Sequence, residues 1–218
     1  MTYKESIDLF RNQYDDICFA RNIKGKGFTK TEIFTRLSQV QAELSNQYRL
    51  YELVSNISVV AGTREYALET VLPNCLNVIK ITYEDIHLEK CSYDEITEIE
   101  AESGQPTKFT IYGIGTARKL KFDFTPDESG TYTAYYYARL NPQGTYATPT
   151  GTASGVYDET ASGYGGSWKI PEEYHPLIVE GAIAKIFPDM FAIYYQNVRE
   201  LIKRKQIVFR KVGGFLGI

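Results

Sequence analysis

The apolar residues of this chain change their spacing twice, and no single kind of regular element accommodates that. From Ile7 to Tyr51 they recur every three or four residues. Near Ser55 the period falls to two, and after Pro171 it returns to three and four. Helices turn once per 3.6 residues and strands alternate every two. The chain must therefore build helices, then a sheet, then helices again.

The first helical stretch covers residues 3–22, with Ile7, Leu9, Phe10, Tyr14, Ile17 and Cys18 on one side. "KGKG", Lys24 to Gly27, breaks it. Thr29 and Glu32 then form a capping box, in which each side chain satisfies a free N–H of the other's backbone. The stripe Ile33, Leu37, Val40, Leu44, Tyr48 and Tyr51 predicts a one-sided helix of about 25 residues.

Six segments of strand-like or turn character follow, with one short helical stretch among them. "ISVVAGTREYAL" predicts two strands around a Gly-containing turn. "CLNVIKITYED" and "IHLEK" predict further strands, and "SYDEITEIEAES" returns briefly to helical spacing. "GQPTKFTIYG" restarts extended structure. In "RKLKFDFTP", Leu120, Phe122 and Phe124 alternate with Lys119, Lys121 and Asp123, and "TYTAYYYARL" closes the set. A small antiparallel sheet of about five to seven strands is expected.

Next comes "TPTGTASGVYDETASGYGGSW", Thr148 to Trp168, almost free of aliphatic residues. "IPEEYHPLIVEGAIAKIF" then predicts a helix opened by Pro171, with Glu172 and Glu173 at its positive end and a small-residue face at Gly181, Ala182 and Ala184. "FPD", Phe187 to Asp189, ends it. A last helix is expected from Met190 to about Arg210. The fold class expected is α+β: a helical bundle of N-terminal and C-terminal helices with an inserted small antiparallel β domain. Its parts are residues 1–55, N-terminal helices; 56–140, the β domain; 141–169, an extended Gly/Ser/Thr/Tyr-rich loop; 170–211, C-terminal helices; and 212–218, a docking tail.

No reacting constellation is visible. The two histidines, His87 and His175, are far apart and are expected to be structural or exposed. There is no HExxH, GxSxG or phosphate-binding loop. "GIGTAR", Gly113 to Arg118, lacks the third glycine and leads into a strand, so it is expected to be a hairpin turn rather than a phosphate cradle. The acidic residues of "ITYEDIHLEKCSYDEITEIEAE" lack the spacing of a calcium loop. No catalytic residue, cofactor or metal is expected. Cys18, Cys75 and Cys91 are odd in number and widely spaced, which favours reduced thiols and folding in a cytosolic environment. The net charge of −3 gives no general attraction to nucleic acid, and no apolar run is long enough for a membrane span.

What stands out is contact chemistry. Tyrosine occurs 18 times, and its ring is apolar while its hydroxyl is polar, which suits both sheet faces and interfaces. Arg199, Lys203, Arg204, Lys205, Arg210 and Lys211 gather on the last helix and its exit. "KVGGFLGI" is an apolar, Gly-rich end that a partner would cover. Candidate partner-contact residues are Tyr157, Tyr164, Trp168, Arg210, Lys211, Phe215, Leu216 and Ile218. One reading of this contact chemistry is a binding module that recognises a glycan or a cell-surface partner through the β domain and the Tyr-rich loop.

Four cues in order carry a family resemblance. They are a long N-terminal helix ending before "GTREYALETVLPNCLNVIKI", then "GQPTKFTIYG", then "KLKFDFTPDESGTYTAYYYARL", and finally "IPEEYHPLIVEGAIAKIF". Together they resemble the head-to-tail adaptor, or connector, proteins of tailed bacteriophages, particularly the podovirus type. Two departures stand out: Pro126 is single where that family often has two prolines, and Gly144 to Trp168 is longer than the usual connection. The resemblance implies a virion structural protein without catalysis, assembled in the host cytoplasm and located at the neck. It implies a homo-oligomeric ring of twelve copies bound under the portal protein, meeting a downstream neck or tail protein. DNA would pass through its channel without sequence-specific binding.

Overall fold

The computed structural model describes residues 1–98, 102–141 and 168–213, with side chains to 97 in the first segment and to 204 in the last. The element order is α1 (Tyr3–Ala20), α2 (Lys30–Tyr48), β1 (Glu52–Val59), β2 (Glu65–Ala67), α3 (Leu68–Val71), β3 (Cys75–Tyr83), β4 (Ile86–Lys90), α4 (Tyr93–Glu98), β5 (Lys108–Tyr112), β6 (Lys119–Phe122), β7 (Gly130–Ala138), α5 (His175–Ala184) and α6 (Phe191–Gly213). The chain is thus mixed α and β. It divides into two compact units, Met1–Leu44 with Asn141–Ile218, and Ser45–Leu140.

In the first unit, α1 starts at a capping box. The Glu5 N–H donates to Thr2 Oγ1 at 3.2 Å, and the Thr2 N–H donates to Glu5 Oε2 at 2.7 Å. Asn22, at a φ of 52°, closes its far end. The box at α2 is present as expected: the Glu32 N–H donates to Thr29 Oγ1 and the Thr29 N–H to Glu32 Oε2. Arg49 adopts a φ of 56°, and α2 stops at Tyr48 rather than continuing to Tyr51. A left-handed residue reverses the chain direction, and Tyr51 instead leads into β1.

Pro171 does not open α5. A 3-10 turn at Glu172–Tyr174 intervenes, and Pro176 occupies the first turn of the helix, where its missing N–H costs nothing. Helix α1 packs on α5, and α5 on α6. The expected small-residue face does allow close approach. A Cβ placed on Gly181 would lie 2.7 Å from Val40 Cγ1 of α2 and 2.8 Å from Tyr194 Cζ of α6.

The second unit is a seven-stranded curled sheet in the order β1-β7-β3-β4-β5-β6-β2. Two expectations about it need correction. The sheet is mixed rather than purely antiparallel: β4 and β5 pair in parallel, Glu89 opposite Lys108 and Lys90 opposite Phe109. Residues 91–107, with α4 among them, carry the chain back to the same end, which parallel pairing requires. And "ISVVAGTREYAL" supplies two strands that do not pair with each other. β1 pairs with β7, and β2 pairs with β6, at opposite ends of the strand order.

Along β7 the alternation is strict. Tyr132, Ala134, Tyr136 and Ala138 are buried with Ile57, Val59, Val78, Ile81, Leu88, Phe109, Leu120 and Phe122. "GIGTAR" is the hairpin connection between β5 and β6. Gly113, at a φ of 90°, is obligatory there, because a Cβ would meet the Ala117 carbonyl oxygen at 2.7 Å. Buried Asp123 pins the opposite, open end of the β5–β6 pair, accepting from the Thr107 N–H, the Thr107 hydroxyl and the Phe124 N–H.

Candidate assembly surfaces

Both histidines have places that explain them without chemistry on a substrate. His87 lies in β4, opposite Thr82. His175 is buried at the start of α5. Its Nε2 stands 2.9 Å from the Ile170 carbonyl, which fits an N–H donating to that oxygen, and the Met1 amino nitrogen donates to Nδ1 at 3.2 Å. This arrangement uses the neutral ring. Burial, first of all, pushes the His175 pKa below its ordinary value of 6.5. A depressed histidine contributes stability above the unfolded value, and that stability is lost as pH falls below about 6.5 toward the folded value. The unfolding midpoint of the helical unit should therefore drop on acidification below about pH 6.5 more steeply than in His175→Gln. Equal slopes by circular dichroism would refute this role.

No group of three or more His, Cys, Asp or Glu side chains is arranged to hold a metal ion among the described residues. Cys18, Cys75 and Cys91 are free thiols, and burial pushes the Cys75 pKa up to about 11. Among the described residues no helix is long and apolar enough to cross a membrane.

The candidate contact residues fall in three places. Tyr157, Tyr164, Phe215, Leu216 and Ile218 lie outside the described residues. Arg210 and Lys211 belong to the backbone of α6. Trp168 is 4% exposed and packs within the chain's own helical unit, its ring edge-on to Tyr3 at 4.5 Å and stacked on Phe34 at 5.9 Å. Its Nε1–H donates to Ser6 Oγ at 2.7 Å. One residue on, the Lys169 N–H donates to Gln41 Oε1 at 2.7 Å.

Surface apolar residues that spacing alone did not single out are conspicuous. Phe19 near the end of α1 is 90% exposed, and Ile193 on α6 is 60% exposed. Between α1, α5 and α6 runs a groove of about 300 Å³, lined by Ile17, Ile183, Met190, Ile193 and Tyr194, with Asp16 and Glu180 also at its wall. Glu180 accepts from Asn197 Nδ2 at 2.9 Å. On the sheet unit, Ile114 in the β5–β6 hairpin is 90% exposed. Tyr135 and Tyr137 of β7 point away from the core, and Lys80 Nζ sits 4.2 Å from the centre of the Tyr135 ring. Large apolar side chains facing solvent mark contact surfaces when they gather beside a groove.

Comparison with known proteins gives the chain a class. The model of a protein family described as SU10 adaptor protein matches residues 1–210. The chain belongs to that family, which bears out its resemblance to phage head-to-tail adaptors and makes it a structural protein of the virion. No curated protein matches it.

Proposed function

We propose that this chain forms a ring beneath the portal protein, joins the capsid to the tail and continues the DNA channel. The observation that carries the proposal is the family match over residues 1–210. The ring holds about twelve copies, and each copy presents two different faces to its neighbours, as a closed cyclic assembly requires. The N-terminal and C-terminal helices form the bundle of each subunit, and the sheet unit with its outward tyrosines faces a neck or tail protein. Phe19 and Ile193, large apolar side chains open to water on the helical unit, support the need for covering partners. Tyr157, Tyr164, Arg210, Lys211, Phe215, Leu216 and Ile218 make contacts in the particle, while Trp168 fixes the end of the preceding segment to the helices. Residues 212–218 act as a docking arm. The protein carries no catalytic activity and no cofactor.

Negative-stain imaging and native mass measurement, with and without portal protein, test the proposal. Rings, alone or on portal, are expected. A chain that stays monomeric, ignores portal and is retained on a glycan array would be a β binding module instead. Deleting residues 212–218 should leave a folded chain whose ring assembly is weakened. Unchanged assembly would remove the arm.

A further inference from the structure

We propose that the groove between α1, α5 and α6 is the receptor for the C-terminal arm of a second copy of this chain. The proposal rests on the reading of residues 212–218 as a contact arm, and it names what the arm contacts. The groove floor is apolar, formed by Ile17, Ile183, Met190 and Tyr194, and Ile193 stands open beside them. Covering such side chains removes apolar surface from water, which favours association. The charged residues lining the groove, Asp16 and Glu180, are both acidic.

The arm has the complementary chemistry. Arg210 and Lys211 supply two adjacent cations, and Val-Gly-Gly-Phe-Leu-Gly-Ile follows without a charged side chain. An apolar segment seated on the floor would bring the cations toward the acidic wall, where opposite charges favour one orientation over the reverse.

Length decides which copy supplies the arm. Helix α6 runs unbroken from Phe191 to Gly213. At about 1.5 Å of rise per residue, Gly213 stands about 30 Å along the axis from Ile193. Residues 214–218 span at most about 18 Å when fully extended. The arm therefore falls short of its own groove, and another copy must provide it. Groove and arm are different surfaces at separated points of one helix, so the contact is heterologous. Repeated around an axis it closes a ring.

The test places the photo-cross-linker benzoylphenylalanine at position 215 of the full chain. Equal amounts of nitrogen-15-labelled and unlabelled chains are mixed before assembly, illuminated, digested and read by mass spectrometry. Cross-links between chains of different isotope are expected, landing on peptides that carry Asp16 and Ile17 or Met190 to Asn197. Ile193→Asp should lower their yield at least about tenfold, since it removes a buried apolar contact and adds a desolvated charge. Ile193→Leu should preserve the yield. Ile193 is largely exposed, so both variants should keep the wild-type circular dichroism spectrum. Links confined to single chains, links to the sheet unit or to portal, or an unchanged yield in Ile193→Asp would each overturn the proposal. Ring counts for the chain lacking residues 212–218 separate the two failures. Lost rings would leave the arm standing with another receptor, and intact rings would remove the arm itself.

Discussion

Replacing Trp168 by alanine is expected to destabilise the helical unit by about 3–5 kcal/mol. That is a large part of the roughly 5–15 kcal/mol that holds a typical domain together. The side chain fills space between α1 and α2, against Tyr3 and Phe34, and its loss leaves a cavity that two rigid rings cannot collapse into. It also takes the donor away from Ser6 Oγ, a buried hydroxyl that itself donates to the Thr2 carbonyl at 2.8 Å. Ser6 keeps one partner, so the polar part of the loss is about 1 kcal/mol. Trp168→Phe should cost much less than the alanine, because it keeps most of the packing and forfeits the hydrogen bond. Urea unfolding followed by circular dichroism measures both, since Trp168 is the only tryptophan and its fluorescence vanishes with it. A cost below about 1 kcal/mol for the alanine would show that the aromatic cluster closes without it.

Gly181→Val should lower stability by about 3 kcal/mol, and Gly181→Ala by about 1 kcal/mol. Alanine in a helix is intrinsically favoured over glycine by about 1 kcal/mol, so the local effect opposes the predicted sign. Packing wins because of what the new methyl meets. Val40 Cγ1 lies at 2.7 Å and the Tyr194 ring at 2.8 and 2.9 Å from the Cβ position, well inside contact distance. Val40 is buried among the helices and has no open space to move into, and Tyr194 could turn only into the groove it lines. Valine adds two further methyl groups and a restricted rotamer. Thermal unfolding of the two variants is the measurement. A raised midpoint for Gly181→Ala would mean that Tyr194 swings aside and that close helix packing does not require glycine here.

Elements set by local rules were legible in the sequence. Thr29 and Glu32 announced the start of α2, the alternation in "TYTAYYYARL" announced β7, and the small residues around Gly181 announced a close helix contact. Equally local signals went unread. "TYKE" at Thr2 to Glu5 has the same capping pattern as the start of α2, and Pro176 was a better helix opener than Pro171, because a 3-10 turn separates Pro171 from α5. Partner choice between strands is different in kind. Nothing inside "ISVVAGTREYAL" says that β1 will pair with a strand some eighty residues later and β2 with β6. Pairing is decided by long-range burial, and a short glycine-containing connection is compatible with a hairpin or with a bridge between sheet edges. The parallel β4–β5 pair was hidden for the same reason. As for the surfaces, the tail's apolar composition could be read directly, but the groove could not. It exists only where Ile17 of α1 comes to line one space with Ile183 and Ile193, which lie more than 160 residues later in the chain.

The way the sheet unit begins and ends has a mechanical consequence. Asn46 and Leu140 are joined by two hydrogen bonds, the Asn46 amide donating to the Leu140 carbonyl at 3.0 Å and the Leu140 N–H donating to Asn46 Oδ1 at 2.9 Å. Just beyond them Glu52 faces Tyr137 and the β1–β7 ladder runs on to Val59 and Gly130. Entry and exit thus lie side by side at one end of an antiparallel pair. A force drawing the two connections apart would load these bonds in sequence rather than together, as a zipper is opened from its pull. The side-chain clamp at Asn46 is the first to bear the load, and it protects every rung behind it.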